Sequence, residues 1–448
     1  MKCEDARNWL VAYGKGELDG PRKAGLETHL AQCAGCSQEL EKLRRVLAIT
    51  QLADDETLVE AASNLIQTAI ERSASDIHIE PQNEGDIRVR FRIDGLLQEY
   101  EPQPPFSKES ALALVARFKM MADCDVENRR APQDGRIDVH TADGKDFDLR
   151  VSFLPSIQGE SVVMRVLDRS RLFIGLDRLG FLPDMQNELE KLTEQPNGII
   201  IVCGPNSSGR TTTVYSILQK INRPGTKILT IEDPVEYALP GAVQVHVNRK
   251  EGLSFAVGLR AVMRQDPDVI MVGEQRDMET IELVIQASLT GHLVLTCMHT
   301  SNAPAALARL MDVGVDSFLL ASSVIGILAQ RLARRICPHC KVEYMPKSEL
   351  LASLRADGRV EDENPVLFRG AGCGECRNSG YKGRLGIFEL LVVDEAMKDL
   401  VIRHGSTQEI RQAAINAGMR TLREDALEKV LQGLTTPEEA LRVVFGSG

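Results

Sequence analysis

The chain has 448 residues, 43% hydrophobic and 26% charged, which excludes global disorder, collagen and a small disulfide scaffold. Lys plus Arg number 53 against 64 Asp plus Glu, a formal charge of −11, so nucleic acid is not an expected partner. At about 150 residues per domain the length suggests roughly three domains, and no run reaches the ~18 apolar residues of a membrane span. The first residues, Met1 to Asp5, hold no apolar signal core, so the expected location is the cytoplasm, with any membrane contact peripheral.

Seven of the ten cysteines fall into two clusters at metal-ligand spacings. Residues 1–45 read as a helical module carrying the first, His29-x-x-x-Cys33-x-x-Cys36, with Cys3 as a fourth ligand. His29 and Cys33 stand at i, i+4 on one helix face, and Cys₃His is a closed, structural zinc set. The alternative is a helical tail with incidental cysteines. Residues 55–170 read as an α+β domain, with strands over Ile77-His78-Ile79, Asp86–Ile93, Phe147–Phe153 and Ser161–Leu167. In Asp86–Ile93 the apolar residues alternate with Arg88, Arg90 and Arg92, the period of a half-buried strand.

Residues 171–335 change character. The apolar runs Ile199–Cys203, Ile228–Ile231, Val269–Val272 and Leu293–Cys297 alternate with helical stretches, as in a parallel sheet covered on both faces. Residues 336–390 hold the second cluster, Cys337-Pro-His-Cys340 and Cys373-Gly-Glu-Cys376, whose four thiolates suit a closed tetrahedral Zn²⁺ site; His339 reads as a loop residue. Residues 391–448 read as a small helical end. Cys124, Cys203 and Cys297 read as core cysteines.

Gly204-Pro205-Asn206-Ser207-Ser208-Gly209-Arg210-Thr211 follows an apolar strand and opens a helix, read from Thr212 to Ile221. It matches the P-loop pattern G-x-x-x-x-G-K-[ST] except that Arg210 stands in the lysine's place. Backbone N–H groups and the helix start form the anion cradle, and Thr211 is placed for Mg²⁺. A guanidinium is larger and planar where the lysine is a compact charge, which puts hydrolysis in question. Glu232, past the second apolar strand, is a candidate base, with Asp233 or Glu236 orienting water or metal. Helix-start acids complementing a dipole would give the same residues. Asp268–Glu274 is an apolar strand ending in acid, the Walker B arrangement; Gln275-Arg276-Asp277 follow. His292 and His299 bracket the last strand and suggest phosphate sensing or coupling.

Together these motifs resemble the type II secretion and type IV pilus assembly ATPases. Ala74–Pro81, Arg92–Gly95, Pro132–Arg136, Gly159-Glu160, Ala329–Arg335 and Gly380–Leu390 match in the same order, over about residues 55–435. The resemblance implies a RecA-like P-loop core preceded by a PAS-like α+β domain and accompanied by a Cys₄ zinc subdomain. It implies ATP and Mg²⁺ at the loop, a homo-hexamer at the cytoplasmic face of the inner membrane, and platform and docking proteins of a pilus or secretion machine as partners. It places Glu232 in the Asp box, Glu274 in Walker B, and His292 with His299 in the His box. Arg136 and Arg150 match its phosphate-facing arginines, Arg92 less closely. Ser207 takes the place of a usual glycine, and Gln275 that of an apolar residue. Residues 1–45 resemble the zinc-binding anti-sigma-factor module and stand where a docking domain is usual. Three readings stay open: a motor ATPase, a pseudo-ATPase scaffold or regulatory subunit of the same machinery, and a zinc-dependent regulator acting through residues 1–45.

Overall fold

The structure is a computed structural model that describes residues 1–448 except 84–85, 104–105, 107, 169–173, 276, 346–364 and 446–448. Arg276 therefore lies outside the described residues, as does much of the segment between the paired cysteines of the second cluster. The chain divides into two units, Met1–Ser170 and Arg171–Gly448.

The first unit begins with three helices, α1 (Cys3–Gly14), α2 (Gly20–Gln32) and α3 (Ala34–Ala53). They close on a small core of Ala6, Leu10, Leu26, Cys36 and Leu40. Then come α4 (Glu56–Glu71), β1 (Ala74–Pro81), β2 (Ile87–Ile93), β3 (Leu96–Tyr100), α5 (Lys108–Met121), β4 (Gln133–His140), β5 (Asp146–Ser156) and β6 (Gly159–Asp168). The six strands form one antiparallel sheet in the order β3-β2-β1-β6-β5-β4. Leu58, Leu65 and Ile66 of α4 and Leu114 and Phe118 of α5 bury one face, against Ile77, Phe91, Leu149, Phe153 and Met164. The period of 2 in β2 therefore turns the alternating arginines to the other face.

The second unit is built on a seven-stranded sheet. Its elements are α6 (Pro183–Thr193), β7 (Gly198–Cys203), α7 (Arg210–Ile221), β8 (Ile228–Glu232), β9 (Val243–His246), α8 (Phe255–Val262), β10 (Val269–Val272), α9 (Met278–Leu289), β11 (Leu293–Met298), α10 (Ala303–Asp312), α11 (Ser317–Ser323), β12 (Val324–Ile336), β13 (Lys341–Tyr344), β14 (Leu367–Gly370) and β15 (Tyr381–Val392), followed by helices Glu395–Ile402, Thr407–Asn416, Leu422–Leu431 and Pro437–Phe445. The strand order is β15-β12-β7-β11-β10-β8-β9, parallel except where β15 joins β12 antiparallel. Each face has its own core. Ile201, Ile231, Ile270 and Val294 pack under α8–α11, and Ile200, Val202, Met271 and Leu295 under α6 and α7. Burial on both faces is why these strands read as unbroken apolar runs. Side-chain caps start several helices where the chain leaves the sheet: Ser254 before α8, Asp277 before α9 and Asn302 before α10.

Two sequence boundaries move. Residues 381–390 were expected in the zinc subdomain, but β15 lies in the main sheet and pairs with β12 from Gly326 to Ile336. The apolar run Leu385, Ile387, Phe388, Leu390 and Leu391 supplies buried side chains to both faces, which a small zinc loop could not cover. Helix α7 begins at Arg210, two residues before the expected start, because Gly209 in the left-handed region turns the chain directly into it. No helix among the described residues is long and apolar enough to cross a membrane.

Candidate active site and metal centres

Parallel register brings the functional side chains to one edge of the second unit's sheet. Cys203, the last residue of β7, stands opposite Met298 of β11; Val272 of β10 stands opposite both Thr296 and Ile231. The residues that follow are therefore neighbours at the carboxyl ends: Gly204 after β7, His299 after β11, Glu274 after β10, and Glu232 at the end of β8. Helix α7 has no side-chain cap at Gly209, so its first N–H groups are left for a ligand.

Arg210 folds back over the loop that precedes it. Its Nη1 donates to the carbonyls of Gly204 and Pro205, the latter at 2.7 Å, and its Nη2 donates to His299 Nε2 at 3.0 Å. The same Nε2 lies 3.3 Å from Glu274 Oε1. An imidazole nitrogen that accepts from Arg210 carries no proton for Glu274, so Nε2 serves one partner at a time. The loop, the His-box residue and the Walker B carboxylate thus form one polar chain. Thr211 is exposed at the helix start.

Glu232 is 3% exposed and both its oxygens are occupied: Oε2 accepts from Tyr215 at 2.6 Å, and Oε1 from Thr230 at 2.6 Å and Gln244 at 3.2 Å. Burial and the Glu232 carboxylate together push the Tyr215 phenol upward. Each oxygen of Glu232 thus already has a donor, and burial keeps the carboxylate from solvent, unlike a strand-end acid open to an attacking water. Neither Tyr215 nor Gln244 stands out in the sequence; Tyr215 is a polar ring within an otherwise apolar helix face, and Gln244 lies in the edge strand β9. Asp233 pairs with Arg249 at 3.5 Å.

His292 stands apart from His299. It precedes β11, where its carbonyl accepts from Gly198, the first residue of β7, and its Nδ1 lies 2.8 Å from the Ala287 carbonyl. His299 follows the far end of the strand. At about 3.3 Å per residue the two stand roughly 20 Å apart, too far to share one phosphate. Two arginines of β12 are engaged inside the unit. Arg331 is 7% exposed and donates to the Ser301 carbonyl at 2.6 Å, while Arg334 pairs with Glu439.

In the first unit, Arg136 of β4 stands opposite Arg150 of β5, which stands opposite Arg165 of β6, then Asp76 of β1 and Arg92 of β2. Like charges facing each other across strands are destabilising unless compensated. Asp148 takes Arg136 Nε at 2.7 Å and Asp76 takes Arg165 Nε at 3.3 Å. Asp76 also lies 3.8 Å from Arg92, which donates to the Gly95 carbonyl.

Each cysteine cluster converges. The ligand atoms of Cys3, His29, Cys33 and Cys36 lie within 4.8 Å of one another, as do those of Cys337, Cys340, Cys373 and Cys376. A Zn–S bond of about 2.3 Å in a tetrahedron sets sulfurs about 3.8 Å apart. Cys337–Cys373, Cys340–Cys376 and Cys373–Cys376 measure 3.9, 3.7 and 3.7 Å, and Cys3–Cys33 measures 3.8 Å. The donor sets fit zinc. At Cys376 burial pushes the thiol up, but the N–H groups of Cys373 and Gly380 outweigh it and bring it to about 6. Burial instead pushes Cys203 and Cys297 up to about 12, which suits inert core thiols.

Comparison with known proteins finds two family matches along the chain. Residues 3–37 match a zinc-finger family, and residues 51–442 match the family described as type II/IV secretion system protein. The chain is 46% identical over 391 residues to type II secretion system protein E of Pseudomonas aeruginosa, covering 87% of this chain and 76% of that one. It is 42% identical over 404 residues to the type IV pilus assembly ATPase PilB of Myxococcus xanthus, covering 90% and 70%. Among solved structures, the Legionella pneumophila ATPase DotB shares the fold, with a TM-score of 0.62 at 21% identity over 84% of this chain and 93% of that one. The pilus retraction motor PilT with bound ADP gives 0.57 at 26% identity over 84% and 95%. The expectation of a RecA-like P-loop ATPase with zinc-binding cysteine groups stands, and the chain belongs to the type II/IV secretion system protein family.

Proposed function

We propose that this chain is the ATP-driven subunit of a pilus or type II secretion assembly machine. The observation that carries the reading is the meeting of Arg210, His299 and Glu274 at the carboxyl edge of the sheet, beside an uncapped helix start. Residues Gly204 to Thr212 would cradle the phosphates, and Thr211 with Glu274 would hold Mg²⁺. The metal supplies charge neutralisation at the β and γ oxygens when bound. Glu274, rather than the enclosed Glu232, orients the attacking water. Arg136 and Arg150 meet phosphate oxygens, as the family resemblance implies.

The proposed domains are residues 1–45, 55–170, 171–335 together with β15, 336–380 and 393–448, β15 being assigned to the ATPase core on the strength of its pairing with β12. Both clusters hold zinc structurally, and residues 1–45 act as a docking module. The assembly that the family resemblance implies is a homo-hexamer working peripherally at the inner membrane on a platform protein; the relatives' names carry only the secretion and pilus-assembly setting.

Steady-state phosphate release by purified wild type beside Glu274→Gln tests the reading. Turnover in wild type and its loss in the variant support it. An inert wild type with an active Arg210→Lys chain would replace the motor with a silenced subunit of the same machine.

A further inference from the structure

The floor of the P-loop is a residue to which the nucleotide reading gives no role. Gln330 follows Ala329, the residue of β12 that pairs with Cys203 at the end of β7. It is 2% exposed, in a strand where Leu328, Ala329 and Leu332 lie close by in sequence. Burying an amide in such a place is unfavourable unless it is hydrogen-bonded. Its Oε1 accepts from the hydroxyl of Thr213, a wholly buried residue in the first turn of α7, at 2.7 Å. That bond leaves the amide nitrogen facing Gly209.

The approach is close on both sides of the loop. A Cβ at Gly209 would lie 2.8 Å from Gln330 Nε2, and one at Gly204 would lie 2.5 Å from the Gln330 carbonyl oxygen. Both fixed glycines of the motif therefore rest on this one residue. The next residue extends the support: Arg331 donates to the Gln330 carbonyl at 3.1 Å and to the Ser301 carbonyl at 2.6 Å, two residues beyond His299.

We infer that Gln330 is a positioning residue for the nucleotide site, holding Gly204, Gly209 and the start of α7 so that the loop's N–H groups face the phosphates. The inference rests on the reading of the P-loop as a nucleotide site. Gln330→Met keeps the length and the apolar stem but removes both hydrogen-bonding atoms. Amide hydrogen exchange is followed on the full chain without nucleotide, together with ADP affinity and the kcat and KM for ATP.

The expected result is exchange at residues 206–211 about 10-fold faster with the rest of the sheet unchanged, and ADP Kd and ATP KM about 10-fold higher with kcat within about twofold. A folded variant with wild-type exchange at 206–211 and wild-type ADP affinity overturns the inference. So does faster exchange spread evenly over the sheet, which would mark a packing role alone. Where Gln330→Met does not fold, Thr213→Val removes the other half of the bond and should give the same local signature. Where wild type binds no ADP, the nucleotide reading has failed, and exchange at 206–211 alone decides whether Gln330 positions the loop.

Discussion

Arg210 and His299 are joined by a hydrogen bond of 3.0 Å between Nη2 and Nε2, so the residue in the lysine position holds the His-box residue rather than standing free for phosphate. Its other nitrogen is engaged with the loop's own carbonyls. A ligand phosphate must displace these bonds before Arg210 can meet it. A lysine at this position has one compact ammonium and cannot span the loop and His299 together. Arg210→Lys is therefore expected to bind ATP about 10-fold more tightly than wild type and to raise phosphate release, with His299 freed to donate to Glu274. Titration with ATP and a turnover assay check both effects; equal affinity in the two chains would sink the idea.

Ser207 sits in the same loop with a φ of 60°, in the left-handed region. A residue with a Cβ costs about 1–2 kcal/mol there, and glycine offsets part of that through its greater freedom when unfolded. Ser207→Gly should stabilise the chain by about 0.5–1 kcal/mol and raise its thermal midpoint by about 1–3 °C. Differential scanning of the two proteins checks this. A lower midpoint for the variant would mean that the serine hydroxyl holds the loop in a way the strain argument omits.

Much of this site was legible because parallel strands buried on both faces announce themselves. Ile199–Cys203, Val269–Val272 and Leu293–Cys297 read as apolar runs, and each ends where a motif begins. What failed to show was depth and direction. Glu232 reads like an exposed strand-end acid, and only the fold brings Tyr215 from α7 and Gln244 from β9 onto its oxygens. His292 and His299 look paired because they are close in sequence, but an extended strand parts them. Gly380 to Leu390 reads as one run with the zinc ligands, because its partner strand lies about fifty residues upstream and no local pattern records a pairing of that range.

The second cysteine cluster sits where β13 and β14 meet the turn before β15, and its sulfurs are already at tetrahedral spacing. Metal analysis of purified chain should give two zinc ions, and Cys33→Ser and Cys340→Ser should each remove one. The two losses should differ in effect. Cys340→Ser is expected to lower the thermal midpoint by about 5 °C or more, because the buried thiolates anchor the end of β12 and the start of β15. Cys33→Ser should leave the ATPase unit's transition in place, since its cluster orders only α1–α3 and their small core. One shared transition falling equally in both variants would contradict this.

Glu439 gives the chain an acid-sensitive contact. It is 1% exposed and accepts from the Arg334 backbone N–H at 3.2 Å and from the side chains of Arg334 and Arg442. Burial pushes its carboxyl up, but the hydrogen bonds from Arg442 and Arg334 outweigh it and hold it below the ordinary 4.5. The unfolded chain then binds this proton more readily than the folded one. The contribution is complete above the ordinary value and is lost as the pH falls through the lowered one. Glu439→Gln should lower stability at neutral pH by about 3 kcal/mol and flatten the decline between about pH 5 and pH 3. Urea midpoints measured across that range check it; parallel curves for the two chains would exclude Glu439 as the source.

The two carboxylates at the sheet edge should separate kinetically because their surroundings differ. Glu274 is 30% exposed at its side chain and has His299 as its neighbour at 3.3 Å, so it is open to solvent and to a ligand. Glu232 is enclosed by Tyr215, Thr230 and Gln244. Glu274→Gln keeps the shape but removes the charge that orients water, and should lower kcat at least about 100-fold with ADP affinity unchanged. Glu232→Gln turns one acceptor into a donor facing hydroxyls that can rotate. It should therefore act on the position of β8 and α7, lowering kcat about 10-fold and thermal stability together. Tyr215→Phe removes one donor to the same carboxylate and should reproduce the Glu232→Gln pattern in milder form, while having no such resemblance to Glu274→Gln. If Glu232→Gln instead abolishes turnover with full stability and Tyr215→Phe leaves kcat untouched, Glu232 is the residue that acts on water, and the burial argument against it is wrong.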